Sequence, residues 1–194
     1  MNNPSIRIFK LSKEAQAKID DKIEYRDKII NFLHNDNLFR IGDTNVSYRN
    51  AVYLEKVGLL RRKESETGWR KLSLIDAVYF DILTELRGFG LTAKKLALTK
   101  DAFYGKTELI DSVFLATFYG YEMKLVIYND GSGYIFDPKA YANYESNART
   151  RINKPRIIME INPFVNNALK ILGMPTIKAS NTTCESKEGG VPSR

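Results

Sequence analysis

The spacing of hydrophobic and polar residues changes several times along the chain, and each change marks an element. Ser5 to Leu11 alternates, with Ile6, Ile8 and Lys10 on one side and Arg7, Phe9 and Leu11 on the other. This predicts a short strand or extended arm, and Pro4 ahead of it keeps Asn3 out of helical geometry. Ser12 has the character of a helix N-cap, with Glu14 and Ala15 in the first turn, and the helix is expected to reach about Leu33. Its apolar positions (Ile19, Ile23, Tyr25, Ile29, Ile30, Phe32, Leu33) crowd toward the C-terminal half. The first half is mostly charge and alanine. It is expected to project from the body, to pair with a partner chain, or to be a solvated helical face.

Asn35-Asp36-Asn37 ends that helix, Leu38 to Ile41 is a short apolar piece, and Gly42-Asp43 is a turn. Thr44 or Asn45 is the expected cap of a helix from Val46 to about Lys56. Val46, Val52 and Leu54 are available to pack, and Tyr48, Arg49 and Tyr53 are left for an outer surface. Gly58 stops it, and Leu59-Leu60 forms a buried root. A basic hairpin follows: Arg61, Arg62 and Lys63 going out, Glu64 to Thr67 at the tip, Gly68, then Trp69, Arg70 and Lys71 returning.

Ser73 caps the next helix with Asp76 three residues on, and Val78, Ile82, Leu83 and Leu86 repeat at helical spacing. Gly88 to Leu91 breaks it. Thr92 caps a further helix with Leu96 and Leu98 inside, and Gly105 ends this part. Thr107 to Tyr119 is a strongly apolar helix carrying Leu109, Ile110, Val113, Phe114 and Phe118, with a strand at its end as the alternative. Met123 to Tyr128 and Tyr134 to Asp137 are strands around an Asn129 to Gly133 turn. Pro138 to Lys154 is polar and reads as a loop. Arg156 to Ile161 is a third strand, and Pro163 opens a last helix to about Leu172. From Thr176 the composition is that of a disordered tail. The fold class expected is α+β: a mainly helical winged helix-turn-helix, then a small α/β domain with about three antiparallel strands. The expected boundaries are 1–20 (arm and helix start), 21–105 (winged helix), 106–175 (oligomerisation or partner binding) and 176–194 (tail).

The stretch from Val46 to Leu98 resembles the DNA-binding domain of the MerR (mercury-resistance regulator) family, whose pattern is V-S-x-x-T-L-R-Y-Y-E-x-x-G-L-L followed by G-Y-R. Val46-Ser47, Tyr53, Glu55 and Gly58-Leu59-Leu60 stand in register, and Gly68-Trp69-Arg70 falls at the family's spacing with Trp for Tyr. Asp76, Phe80 and Leu83 match the family's next helix, and Gly90 and Leu96 follow it more loosely. The resemblance implies a winged helix-turn-helix that binds DNA. Tyr53 matches the family's aromatic contact to the DNA backbone. Departures are Val52 where the family has Arg, Leu54 for its second Tyr, and Glu64 for the Arg before the wing tip. The helix from about Asp21 to Leu33 would stand in for the family's first helix. The family's long dimerisation helix is replaced by a helix and three strands.

Composition fits this picture. The chain has 194 residues, 43% hydrophobic, which suffices for a core in one large or two small domains. A net charge of +7 and a pI near 9.3 favour polyanionic partners, although such a charge also serves solubility alone. One cysteine, Cys184, and one histidine, His34, leave no intrachain disulfide and no Cys- or His-rich metal site. A reducing cytoplasmic location is expected. There is no apolar run of a signal peptide, and none of the ~18 residues a membrane span needs. Asn45-Val46-Ser47 and Asn181-Thr182-Thr183 are chance matches to the glycosylation pattern.

On the DNA-binding reading Arg49 is the base reader, preferring guanine O6/N7, with Ser47, Tyr48 and Asn50 beside it. Arg61, Arg62, Lys63, Arg70 and Lys71 are phosphate ligands that position rather than specify. The alternative for the wing cations is solvated charge, for Tyr53 core packing, and for Trp69 a hydrophobic anchor, which is preferred. Arg149, Arg151, Lys154 and Arg156 form a possible second phosphate patch, and Gly131-Ser132-Gly133 a hairpin turn rather than a phosphate loop. No nucleophile–base pair or carboxylate pair stands out, so the chain is expected to be no enzyme and to need no cofactor or metal. Its expected role is that of a homodimeric regulator of transcription bound to double-stranded DNA. The alternatives are an architectural factor in recombination, replication or partition, and a protein-interaction module built on a degenerate winged helix.

Overall fold

The structure is a computed structural model that describes residues 11–21, 28, 31–34, 38–44, 47–60, 71–103, 108–147 and 155–177; of these, residues 21, 98, 99, 101–103, 108 and 110 are described by backbone alone. The fold is mainly helical with two small antiparallel sheets. In chain order the elements are α1 (Lys13–Asp21), β1 (Phe39–Arg40), a 3-10 turn (Ile41–Asp43), α2 (Tyr48–Lys56), β2 (Lys71–Leu72), α3 (Leu74–Gly88), α4 (Ala93–Phe103) and α5 (Glu108–Tyr119). They continue with β3 (Lys124–Tyr128), β4 (Gly133–Phe136), α6 (Pro138–Asn147), β5 (Arg156–Glu160) and α7 (Asn162–Ile171). The expected arm before Leu11, the tail beyond residue 177 and most of the helix between Asp21 and Leu33 lie outside the described residues.

Ser12 caps α1 as its residue type predicts: Ala15 N–H donates to Ser12 Oγ at 3.2 Å. The first half of this helix does not project. Ala15 and Ile19, one turn apart, are both buried in the main core, and α1 packs on α5, where Tyr119 Oη donates to the Lys18 carbonyl at 3.0 Å. A small residue and one β-branched residue at i and i+4 suffice for this close approach, with charge left on the other faces. Lys18 Nζ lies 4.7 Å from the Tyr121 ring centroid, so even its charge is turned onto the body.

α3 is the axis of the core. Its reciprocal cap is formed as expected: Asp76 N–H donates to Ser73 Oγ at 3.1 Å, and Ser73 N–H to Asp76 Oδ2 at 3.1 Å. Nearly every side chain from Leu74 to Leu86 is buried, which the apolar run dictates. α3 packs against α4, α5 and α7. At the α7 contact Asn167 Nδ2 donates to Asp81 Oδ2 at 2.8 Å. Burial raises the Asp81 carboxyl above its ordinary value, and the Asn167 hydrogen bond offsets part of that shift.

β3 is the centre of a three-stranded sheet in the order β4-β3-β5, antiparallel throughout. Leu125 pairs with Ile135 and Met159, and Val126 with Tyr134 and Ile158. One face, with Leu125, Ile127, Ile135, Ile157 and Met159, joins the main core. The other carries Val126, Tyr128, Tyr134 and Phe136, covered by Tyr141 and Tyr144. The buried core that contains Ala15 and Leu54 also contains Leu125 and Leu169, so it runs unbroken past residue 105, where the composition changes.

One expectation in this half is corrected. Residues 138–147 are a helix, not a loop. Asp137, only 1% exposed, accepts from Lys139 N–H at 3.0 Å and Ala140 N–H at 3.2 Å, and Pro138 fits the first helical position. The two tyrosines of this otherwise polar helix pack on the outer face of the sheet. Phe118 of the apolar helix α5 is 54% exposed, and its ring lies 5.1 Å from the Phe114 ring centroid. The Asn129 to Gly133 segment is the hairpin turn expected, with Gly131 N–H donating to the Tyr128 carbonyl at 2.9 Å.

Candidate nucleic-acid interface

α2 is the nine-residue helix on which the proposed base contacts depend. Its cap is Ser47, not Thr44 or Asn45: Asn50 N–H donates to Ser47 Oγ at 3.3 Å. Thr44 is engaged upstream, where its hydroxyl donates to the Ile41 carbonyl at 2.8 Å and closes the 3-10 turn. The far end of the helix is fixed by Gly58, whose φ of +76° suits glycine. Leu59 N–H reaches back to the Leu54 carbonyl at 2.8 Å and Gly58 N–H to Glu55 at 3.0 Å, and Leu54 and Leu59 are both buried. This is the hydrogen-bonding and hydrophobic closure of a Schellman end. Lys100 of α4 donates its ammonium to the Gly58 carbonyl, adding a cation where the helix dipole is negative.

Residues two positions apart lie on nearly opposite sides of a helix, so Val52 and Leu54 cannot both face the core. Ala51 and Leu54 point into the core, whereas Val52, expected to pack, is 45% exposed. Tyr48 and Tyr53 are 56% and 42% exposed, and Arg49 and Asn50 are also exposed, as expected for an outer surface. Tyr53 is not a core residue. The Arg87 guanidinium of α3 lies 5.1 Å from its ring centroid, which holds the ring and adds a cation beside α2.

The flanks of the basic segment are rooted in the body. Leu59 and Leu60 are buried on one side and Leu72 on the other. β2 pairs antiparallel with β1, Phe39 opposite Leu72 and Arg40 opposite Lys71. Arg61, Arg62, Lys63, Trp69 and Arg70 lie outside the described residues. Lys71 is described and exposed.

Arg40 was not singled out by sequence reasoning. It is exposed between buried Phe39 and Ile41, and the ladder sets it directly across from Lys71. The in–out–in pattern of Phe39-Arg40-Ile41 is the local signal. The pairing across 31 positions is not visible in it.

Of the second basic patch, only Arg156 is among the described residues. Arg149, Arg151 and Lys154 lie outside the described residues. Arg156 donates to Tyr144 Oη at 3.1 Å with its guanidinium 5.5 Å from that ring centroid, so it is part of the aromatic layer. In the same layer Tyr141 donates to Glu145 Oε1 at 2.7 Å. Burial, then that hydrogen bond, pushes its hydroxyl up to about 12. Among the described residues no cluster of three His, Cys, Asp or Glu could hold a metal ion, and no helix is long and apolar enough to cross a membrane. Comparison of the chain with protein-family models, with curated proteins and with solved structures finds no match.

Proposed function

We propose that the chain is a DNA-binding protein that lays α2 in the major groove and sets its basic segment against the phosphate backbone, acting as a regulator of transcription. The observation that carries this reading is the outer face of α2. Tyr48, Arg49, Asn50 and Tyr53 are exposed together on a helix clamped at both ends. Nine residues at ~1.5 Å each give about 14 Å, matched to a groove about 12 Å wide. The β1–β2 ladder supports it further. It ties the segment after α2 back to the strand before it, as a winged helix-turn-helix of the kind the MerR resemblance implies would require. On this reading Arg49 reads a base, while Arg40, Lys71 and the wing cations Arg61, Arg62, Lys63 and Arg70 hold phosphates. A homodimer would read two half-sites related by its two-fold axis.

A protein-interaction module is the second reading, favoured by the exposure of Val52, Tyr53 and Val57 along the same helix. Two variants separate base reading from phosphate holding. Arg49→Ala is expected to relax preference at one base position, costing about 1–3 kcal/mol there. Arg40→Ala is expected to weaken all duplexes alike and to flatten the salt dependence by about one unit. Binding of a panel of duplexes by fluorescence anisotropy measures both. Indistinguishable variants would contradict the division of roles, and two variants that leave binding untouched would contradict the DNA reading.

A further inference from the structure

Val52 is the residue of α2 that the structure moves furthest from expectation. It follows Arg49 by three positions and Tyr48 by four, which makes the three neighbours on one helical surface. A single exposed valine needs no explanation. Cations stand on the same helix at Arg49 and Lys56 and beside Tyr53 at Arg87, and Arg40 and Lys71 face each other on the β1–β2 ladder, whose following 3-10 turn contacts α2. The described acidic side chains on α2 and the 3-10 turn are Glu55 and Asp43, and Asp43 accepts from Arg40 N–H at 2.7 Å. A surface that carries cations beside an apolar residue is complementary to a major groove lined by phosphates. Among the four bases only thymine offers a methyl group there.

We propose, on the basis of the DNA-binding reading above, that Val52 reads the 5-methyl group of a thymine next to the guanine read by Arg49. Three residues of helix rise about 4.5 Å, and successive bases are about 3.4 Å apart, so the two contacts fall on neighbouring base pairs. Valine supplies the contact without a competing donor or acceptor. The neighbouring arginine supplies the polar half of a two-base signature, G beside T.

The test uses the full chain and a duplex site obtained by selection from random DNA. Each thymine is replaced in turn by deoxyuridine, which removes the methyl group and leaves every hydrogen-bonding group in place. Wild-type protein is expected to lose about fourfold in affinity at one thymine adjacent to a guanine, the worth of one buried methyl group. Val52→Ala is expected to bind the thymine and deoxyuridine sites equally. Arg49→Ala is expected to lose the guanine preference and keep the methyl preference. Duplex binding that is steeply salt-dependent but indifferent to every thymine methyl would overturn the inference and leave the DNA reading standing. So would a methyl preference that survives in Val52→Ala. Absence of duplex binding altogether would remove both.

Discussion

Replacing Gly131 by alanine is expected to lower stability by about 2–5 kcal/mol. Two independent costs add. The φ of Gly131 is +87°, a backbone region that costs an L-residue about 1–2 kcal/mol. A Cβ at this position would also lie 2.5 Å from the Lys95 carbonyl oxygen and 3.1 Å from its carbonyl carbon and Cα. These are backbone atoms of α4, so relief requires the β3–β4 turn and the helix to move apart, at about 1–3 kcal/mol. The same junction is held by Lys95 Nζ donating to Asn129 Oδ1 at 2.8 Å. For a chain of this length the midpoint should fall by about 5–15 °C in thermal unfolding followed by circular dichroism. Gly42→Ala is the control. No atom lies within 4 Å of its would-be Cβ and its φ is ordinary, so the change should stay within about 0.5 kcal/mol. Equal melting of Gly131→Ala and wild type would mean that the turn does not abut α4 as described.

Asp137→Ala is expected to cost about 2–4 kcal/mol by a different route. One buried carboxylate serves two helices. Its Oδ1 caps α6 through Lys139 and Ala140, and its Oδ2 accepts from Ser12 N–H at 2.8 Å, one residue ahead of α1. Losing a cap costs about 1 kcal/mol. Leaving the Ser12 amide without its charged acceptor adds about 1–3 kcal/mol. Native-state hydrogen exchange distinguishes this from a general loosening: the amides of Ser12, Lys139 and Ala140 should lose protection first. Asp137→Asn keeps an acceptor for the α6 cap and should fall between alanine and wild type. Unchanged protection at all three amides in Asp137→Ala would contradict the role assigned to the carboxylate.

These two positions show what is and is not written locally in the sequence. Ser73 with Asp76, Gly58 with Leu59-Leu60, and the Asn129 to Gly133 turn are legible because each motif completes its own hydrogen bonds within a few residues. α6 is hidden because its helix rests on partners from elsewhere. The local cap, Asp137, reads as the end of a strand, and Tyr141 and Tyr144 bury against a sheet that the polar composition of 138–147 does not announce. The setting of α1 stays open in the sequence for the same reason: among its exposed residues, Ala15 and Ile19 look sparse until α5 covers them.

The candidate interface was partly legible. The order of helix, glycine stop and apolar root could be read directly, and so could the outward set Tyr48, Arg49 and Tyr53. The inward set could not. Thr44, Asn45 and Ser47 are all capping residue types; in the structure the Thr44 hydroxyl donates to the Ile41 carbonyl and Ser47 caps α2. Ala51 and Leu54, three apart, form the inward stripe, and Val52 lies outside it. Arg40 opposite Lys71 is a product of strand pairing, which no local pattern encodes.

The most direct measurement of the central claim is the affinity of the full chain for a labelled duplex across a salt series from about 50 to 200 mM, beside an unrelated polyanion such as heparin. Each phosphate neutralised contributes about −0.9 to the slope of log affinity against log salt. With Arg40, Lys71 and at least two wing cations engaged, the slope is expected to be about −3.6 or steeper, with duplex binding tighter than binding to the polyanion at every salt concentration. A flat slope, or a duplex bound no more tightly than the polyanion, would contradict it.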